Sequence, residues 1–251
     1  MDQNGNKIAL GLDVSTTTIG ICLLLEDDSD YGKIIELTHI APKVSSKIKG
    51  IEQLFLKKKI FEEFIKKYKN FNIDTVVIEE PLLRSNNANT VSTLLRFNGM
   101  ISECVYNTWG IVPEYISSYD ARKYAFPELM TVRKYGKNEQ LYEKSKIIKE
   151  IENSKYVLFG SYPWTIDKKM ILQQKVSEIF PEIPWLLDKK GELKKENFDA
   201  TDSYVACLGY IKKMKYGEPK FQTSDITIKD NCIEYYTNYW DKKEKRITYF
   251  N

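Results

Sequence analysis

"ALGLDVSTTTIGICLL", residues 9–24, is aliphatic on both sides of a short polar turn, with one charge, Asp13, inside its first half. The run predicts two strands, Lys7–Val14 and Thr18–Leu25, folded back on each other across that turn. A carboxylate in a central strand is expensive to bury without a partner or a cation. Asp13 therefore either caps the turn or acts as a ligand. Gly11, Gly20 and the threonines keep the turn around it narrow.

Outward from this pair, Lys33–Ile40 reads as a third strand after the polar turn Asp27–Asp30. Over 47–69, apolar Ile48, Ile51, Phe55, Phe61, Ile65 and Tyr68 alternate with lysines and glutamates, as in an amphipathic helix. A strand over Ile73–Glu79 follows. Next come a helix over Asn89–Trp109, capped by Asn86 or Asn87, and a short fifth strand over Val112–Ser117. After a basic, partly irregular stretch, helices are expected over Asp167–Ile179 and Phe198–Lys213. Residues 224–251 alternate like strands at Asp225–Lys229, Cys232–Trp240 and Arg246–Phe250, with a turn at Asp230–Asn231. This order predicts a mixed α/β fold around a central sheet over residues 1–215, with a β-rich C-terminal extension over 216–251. No GxGxxG and no GxxxxGK followed by Ser or Thr occurs, which removes the main phosphate-loop folds.

Two further segments carry carboxylates. "TVVIEEP", residues 75–81, is a β-branched strand ending on Glu79 and Glu80. Neighbouring strand residues point to opposite faces, so only one of the two can face a given pocket. "ENFDATDSYVACLGYIKK", residues 196–213, holds Asp199 and Asp202 three apart at a helix start, on one face and roughly 5–6 Å apart at Cβ. Capping and the helix dipole explain one aspartate there, but two like charges this close call for a cation between them. Four oxygen donors without histidine or cysteine suit a hard cation, Mg²⁺ or Mn²⁺. Two such ions ~3.5–4 Å apart activate a water and stabilise the leaving oxygen in phosphodiester hydrolysis.

The 251 residues suffice for a substantial core, and 42% hydrophobic with 29% charged residues is the balance of an ordinary globular protein. No run is long enough for a membrane helix, and the polar start MDQNGNKIA lacks a signal-peptide core. Cys22, Cys104, Cys207 and Cys232 stand far apart, which argues against a zinc site or a disulfide framework and for a reducing, cytoplasmic setting. The single histidine, His39, ends the third strand and reads as structural. The net charge of +3 is uneven. Arg122, Lys123, Arg133, Lys134, Lys137, Lys144, Lys146 and Lys149 face only Glu128, Glu139 and Glu143, with Tyr124, Tyr135 and Tyr142 interleaved. Basic residues mixed with aromatics suit a polyanion with stackable bases, and a solvated lysine-rich surface has the same composition.

"GLDVSTTTIG", "VVIEEP" and "FDATDSYVACLGYIKK" together resemble the three signature segments of RuvC-like Holliday junction resolvases, in the same order and over about residues 7–213. The resemblance implies a ribonuclease H-like fold, two Mg²⁺ or Mn²⁺ ions, branched DNA as substrate and a homodimer making paired cuts. By the match, Asp13, Glu79, Asp199 and Asp202 are the metal ligands and Glu80 faces away. Leu82 and Leu83 stand where the family commonly carries a junction-opening aromatic, and with Arg84 they are assigned to DNA contact. Lys169 is the first choice for the lysine at the scissile phosphate, with Lys168 beside it and Lys144 and Lys146 behind. Arg133, Lys134 and Lys137 complete the expected phosphate track. The long stretch between the fifth strand and the last helix is closer to phage or viral members, whose setting is the host cytoplasm. Three rivals stand beside this reading. The first is an actin-like ATPase or sugar kinase, whose first phosphate loop also looks like "GLDVSTTTIG". The second is a degenerate resolvase that binds without cutting, and the third is a less structure-selective ribonuclease H-like or debranching nuclease.

Overall fold

In the computed structural model, residues 7–81, 87–129, 168–219 and 222–249 are described. Strands β1 (Ile8–Val14), β2 (Ile19–Leu25) and β3 (Lys33–Ile40) form an antiparallel meander. Helix α1 (Gly50–Ile65) leads through a 3₁₀ turn to β4 (Ile73–Glu79), and α2 (Ala88–Trp109) leads to β5 (Glu114–Ile116). β1 pairs parallel with β4, and β4 with β5, giving the order β3-β2-β1-β4-β5. Helices α3 (Ser118–Ala125), α4 (Lys168–Ile179) and α5 (Phe198–Tyr216) follow. This is the predicted mixed five-stranded sheet flanked by helices.

Period-two alternation divides the core into two layers. Leu10, Leu12, Val14, Val76 and Ile78 pack against Leu54, Phe61 and Ile65 of α1 and Phe97, Ile101 and Val105 of α2. Ala9, Cys22, Leu24 and Val77 face the opposite way, onto Ala121 of α3, Leu172 and Val176 of α4, and Tyr204, Val205 and Leu208 of α5. Both faces of β1 are thus covered, which is why its sequence is apolar nearly throughout.

Local signals set the helix ends. The Asn87 side chain accepts from the N–H groups of Asn89 (3.0 Å) and Thr90 (3.3 Å), and α2 stops at Gly110 in the left-handed conformation (φ 72°). Ser117 caps α3 through the Asp120 N–H, at 3.1 Å.

The tail forms a second antiparallel sheet, β6 (Gln222–Ile228), β7 (Cys232–Tyr239) and β8 (Lys242–Tyr249). Here the strand expected from sequence, Arg246–Phe250, is too short. Lys242–Lys245 also belong to β8, pairing in register with Tyr236–Tyr239 across a turn at Trp240–Asp241. Lysines are common on an edge strand, where they discourage pairing with another chain. The sheet touches the main body through Lys242, 2.5 Å from Asp30, and through the Trp240 indole, which donates to the Gly217 carbonyl at 3.3 Å.

Candidate active site

Asp13, next to last in β1, and Glu79, last in β4, lie side by side on adjacent parallel strands, each one residue beyond the paired Leu12 and Ile78. Glu79 shares the face of Val77, the layer onto which α5 packs, while Glu80 is exposed and its N–H donates to the Ile116 carbonyl at 2.8 Å. The two glutamates do point apart. Helix α5 brings Asp199 and Asp202 over the same strand ends. Asp199 lies in its first turn and Asp202 just beyond it, so only Asp199 sits where the helix dipole acts most strongly. Neither caps the helix: the N-cap is Asn197, whose side chain is spent on Leu186 and Lys194.

Two glycines allow α5 to come this close. A Cβ at Gly11 would overlap the Ser203 carbonyl and the Cys207 side chain, and one at Gly20 would overlap the Asp199 carbonyl. The Thr18 hydroxyl then donates to Asp199 Oδ2, tying the β1–β2 turn to the helix. Lys57 Nζ donates to the Thr16 carbonyl and fixes the same turn to α1. Asp202 is 3% exposed and lies 2.6 Å from Lys169 Nζ, on the first turn of α4.

The electrostatics record a surplus of negative charge. Burial, then the Asp202 and Asp199 carboxylates, push Asp13 up to about 7, and Lys169 and Arg122 only partly offset this. Glu79 is raised well above the carboxylate range by burial, then by Asp13 and Asp202, against the pull of Arg122 and Lys169. Burial works to lower the Lys169 ammonium, but Asp202, then Asp13 and Asp199, outweigh it and hold the group above its ordinary value. Among the described residues no three His, Cys, Asp or Glu side chains already close into a metal-holding group. Uncompensated carboxylates repel one another, and here Asp202 turns to Lys169 and Asp199 to Thr18. The donor set nonetheless fits a hard divalent cation. Every donor is a carboxylate, and the charge that raises Asp13 and Glu79 is what a cation would neutralise.

Lys168 is exposed at the start of α4. Leu82, Leu83, Arg84, Arg133, Lys134, Lys137, Lys144 and Lys146 lie outside the described residues. Sequence reasoning missed Thr18 and Lys57, and it counted Arg122 only as part of a basic stretch. The Thr18–Asp199 bond spans 181 residues, so no local pattern announces it. Arg122 lies on α3, the helix after the fifth strand, and that placement was the available signal.

Strand order and flanking helices define a ribonuclease H-like fold. Among solved structures it is similar to Thermus thermophilus RuvC in complex with a Holliday junction substrate, at 12% identity over 84% of this chain and 96% of that one, TM-score 0.51. Weaker likenesses are to a second T. thermophilus RuvC structure (13%, 85% and 98% covered, TM-score 0.47) and to the yeast mitochondrial Holliday junction resolvase (11%, 82% and 78%, TM-score 0.42). No family model matches the sequence, and no curated protein sequence does either.

Proposed function

We propose that the chain is a metal-dependent endonuclease that hydrolyses phosphodiester bonds in branched DNA, resolving four-way junctions by paired cuts as a homodimer. The observation that carries this reading is the convergence of Asp13, Glu79, Asp199 and Asp202 from three elements, with Asp13 and Glu79 held in a surplus of negative charge. These four side chains would hold two Mg²⁺ or Mn²⁺ ions. Bound there, such ions activate a water and stabilise the leaving oxygen. The chain itself supplies Lys169 and Arg122, cations on the rim that draw the scissile phosphate towards the carboxylates and offset its charge. His39 is the only histidine, and it is not among these residues, so no imidazole base is assigned.

Leu82, Leu83 and Arg84, with Lys168 and the track Arg133, Lys134, Lys137, Lys144 and Lys146, are proposed DNA contacts. We extend the reading to a nuclease unit over residues 1–215, a phage or viral type of resolvase, and action inside the cell. One sequence feature favours a second reading, a less structure-selective nuclease: leucines stand where a junction-opening aromatic is common in the resolvases. Incubating the protein and Mg²⁺ with a synthetic four-way junction beside a linear duplex of matched sequence tests both. Symmetric paired nicks in the junction alone support resolution. Equal cutting of the duplex supports the second reading, and no cutting of either refutes the enzyme.

A further inference from the structure

At the edge of the sheet away from β5, the end of β3 lies level with the site. Asp13 pairs with Gly20 on β2, and Gly20 pairs with His39 on β3. Cross-strand partners share a face, so these three positions form one row on the α5 side of the sheet. Two strand spacings of ~4.8 Å put the His39 Cα about 10 Å from that of Asp13. Gly20 leaves the middle of the row to the backbone of Asp199, and His39 therefore flanks the end of α5 that carries the aspartates. His39 is partly buried, and its imidazole makes no hydrogen bond with any described residue.

β3 runs in the same direction as β1, so the chain after Ile40 emerges at the carboxylate end of the sheet. From Leu37 to Ile51 there is no acidic residue, while Lys43, Lys47 and Lys49 are all exposed. None of the three is in an ion pair among the described residues. Farther along the chain, other lysines behave differently. Lys58 pairs with Glu62 and Glu103, Lys66 with Glu63, and Lys67 with Glu36. Those three cations are compensated, although Lys59 and Lys69 are exposed and unpaired among the described residues. What sets the segment at the site apart is that it carries no acidic residue at all. The Lys57 bond to the Thr16 carbonyl anchors α1 to the turn after Asp13, which fixes this corner relative to the carboxylates.

We propose that His39 and the acid-free segment Ala41–Lys49 cradle the phosphate backbone of the DNA strand as it leaves the site on the side opposite β5. The inference rests on the nuclease reading and adds the path of the strand. His39 thus meets the backbone close to the cut, and the lysines serve the phosphates beyond.

The test is binding of a fluorescent four-way junction to the full chain, without divalent cation, across ~50–200 mM salt. The wild type is compared with the Lys43→Glu/Lys47→Glu/Lys49→Glu variant, with His39→Ala, and with Lys66→Glu/Lys67→Glu/Lys69→Glu beyond the other end of α1. The first variant should bind at least ~10-fold more weakly at 0.1 M salt, its log K–log salt slope shallower by ~0.9 for each phosphate no longer neutralised. His39→Ala should lose a smaller part of the affinity, and the distal variant should keep the wild-type slope. Melting curves verify folding, and exposed lysines should leave Tm near the wild-type value. A wild-type slope in the first variant, or an equal loss in the distal one, overturns the path and leaves the nuclease reading standing. A wild type with no salt-dependent affinity for DNA overturns both.

Discussion

Gly20→Ala adds one methyl group where the structure has no room for it. The Cβ would overlap the backbone carbonyl of Asp199 and crowd the N–H of Ala200, and backbone cannot swing aside as a flexible side chain can. Restoring van der Waals separation, ~3.5 Å between heavy atoms, requires the start of α5 to withdraw by more than ~1 Å. Overpacking of this kind costs ~1–3 kcal/mol, and at this chain length each kcal/mol lowers Tm by ~2–4 °C. The larger effect falls on the site. Asp199 and Asp202 move with the helix, and a misplacement of ~1 Å costs ~10²-fold in rate. Single-turnover cleavage of a four-way junction measures the rate, and calorimetry measures Tm. Gly99→Ala is the matched control, because an added Cβ there meets nothing within 4 Å, and a mid-helix Gly→Ala change should stabilise by ~0.5–1 kcal/mol. If Gly20→Ala keeps both wild-type rate and wild-type Tm, close approach of α5 does not set the site.

Asp13→Asn and Asp202→Asn should each abolish cleavage while gel-shift affinity for the junction is kept or rises, since affinity comes mainly from phosphate contacts. Either variant cutting at near wild-type rate would remove these residues from the site. Glu79→Gln should lose at least ~10²-fold in rate and Glu80→Gln little, and the reverse order would mean the strand register is wrong. The buried Lys212, whose amine donates to the Ala125 carbonyl at 3.0 Å, is pushed down to about 8 by burial. Its folded pKa lies below the ordinary 10.5, so its penalty is full below about pH 8 and is relieved as pH rises from there towards 10.5. Denaturant titrations should therefore show the stability of wild type relative to Lys212→Met rising between pH 8 and 10. A difference that is flat over that range would show the amine to be solvated.

The main sheet was legible because its strands are short, β-branched and bounded by turn residues. Lys33–Ile40 and Ile73–Glu79 have the bounds that the sequence pattern predicts. The separation of Glu79 from Glu80 followed from period-two geometry alone. Beyond that, sequence could nominate residues but not join them. Thr18 reaches Asp199, and Gly11 and Gly20 matter only because a helix from the other end of the chain lies on them. The start of β8 escapes the pattern for a different reason. Hydrophobic alternation identifies strands that bury a face, and Lys242, Lys243 and Lys245 are held by pairing with β7 rather than by burial.

The order in which these carboxylates occur along the chain has a consequence for synthesis. Asp13 and Glu79 come first, and Asp199 and Asp202 follow 120 residues or more after Glu79. A growing chain that has produced all five strands of the main sheet carries two of the four carboxylates of the proposed site. It also leaves Gly11 and Gly20 bare, because the helix that seats on them has not yet been made. On the proposed nuclease reading, a nascent chain without α5 would be inert. Assembly of the proposed site waits until α5 has been made and has docked on those glycines.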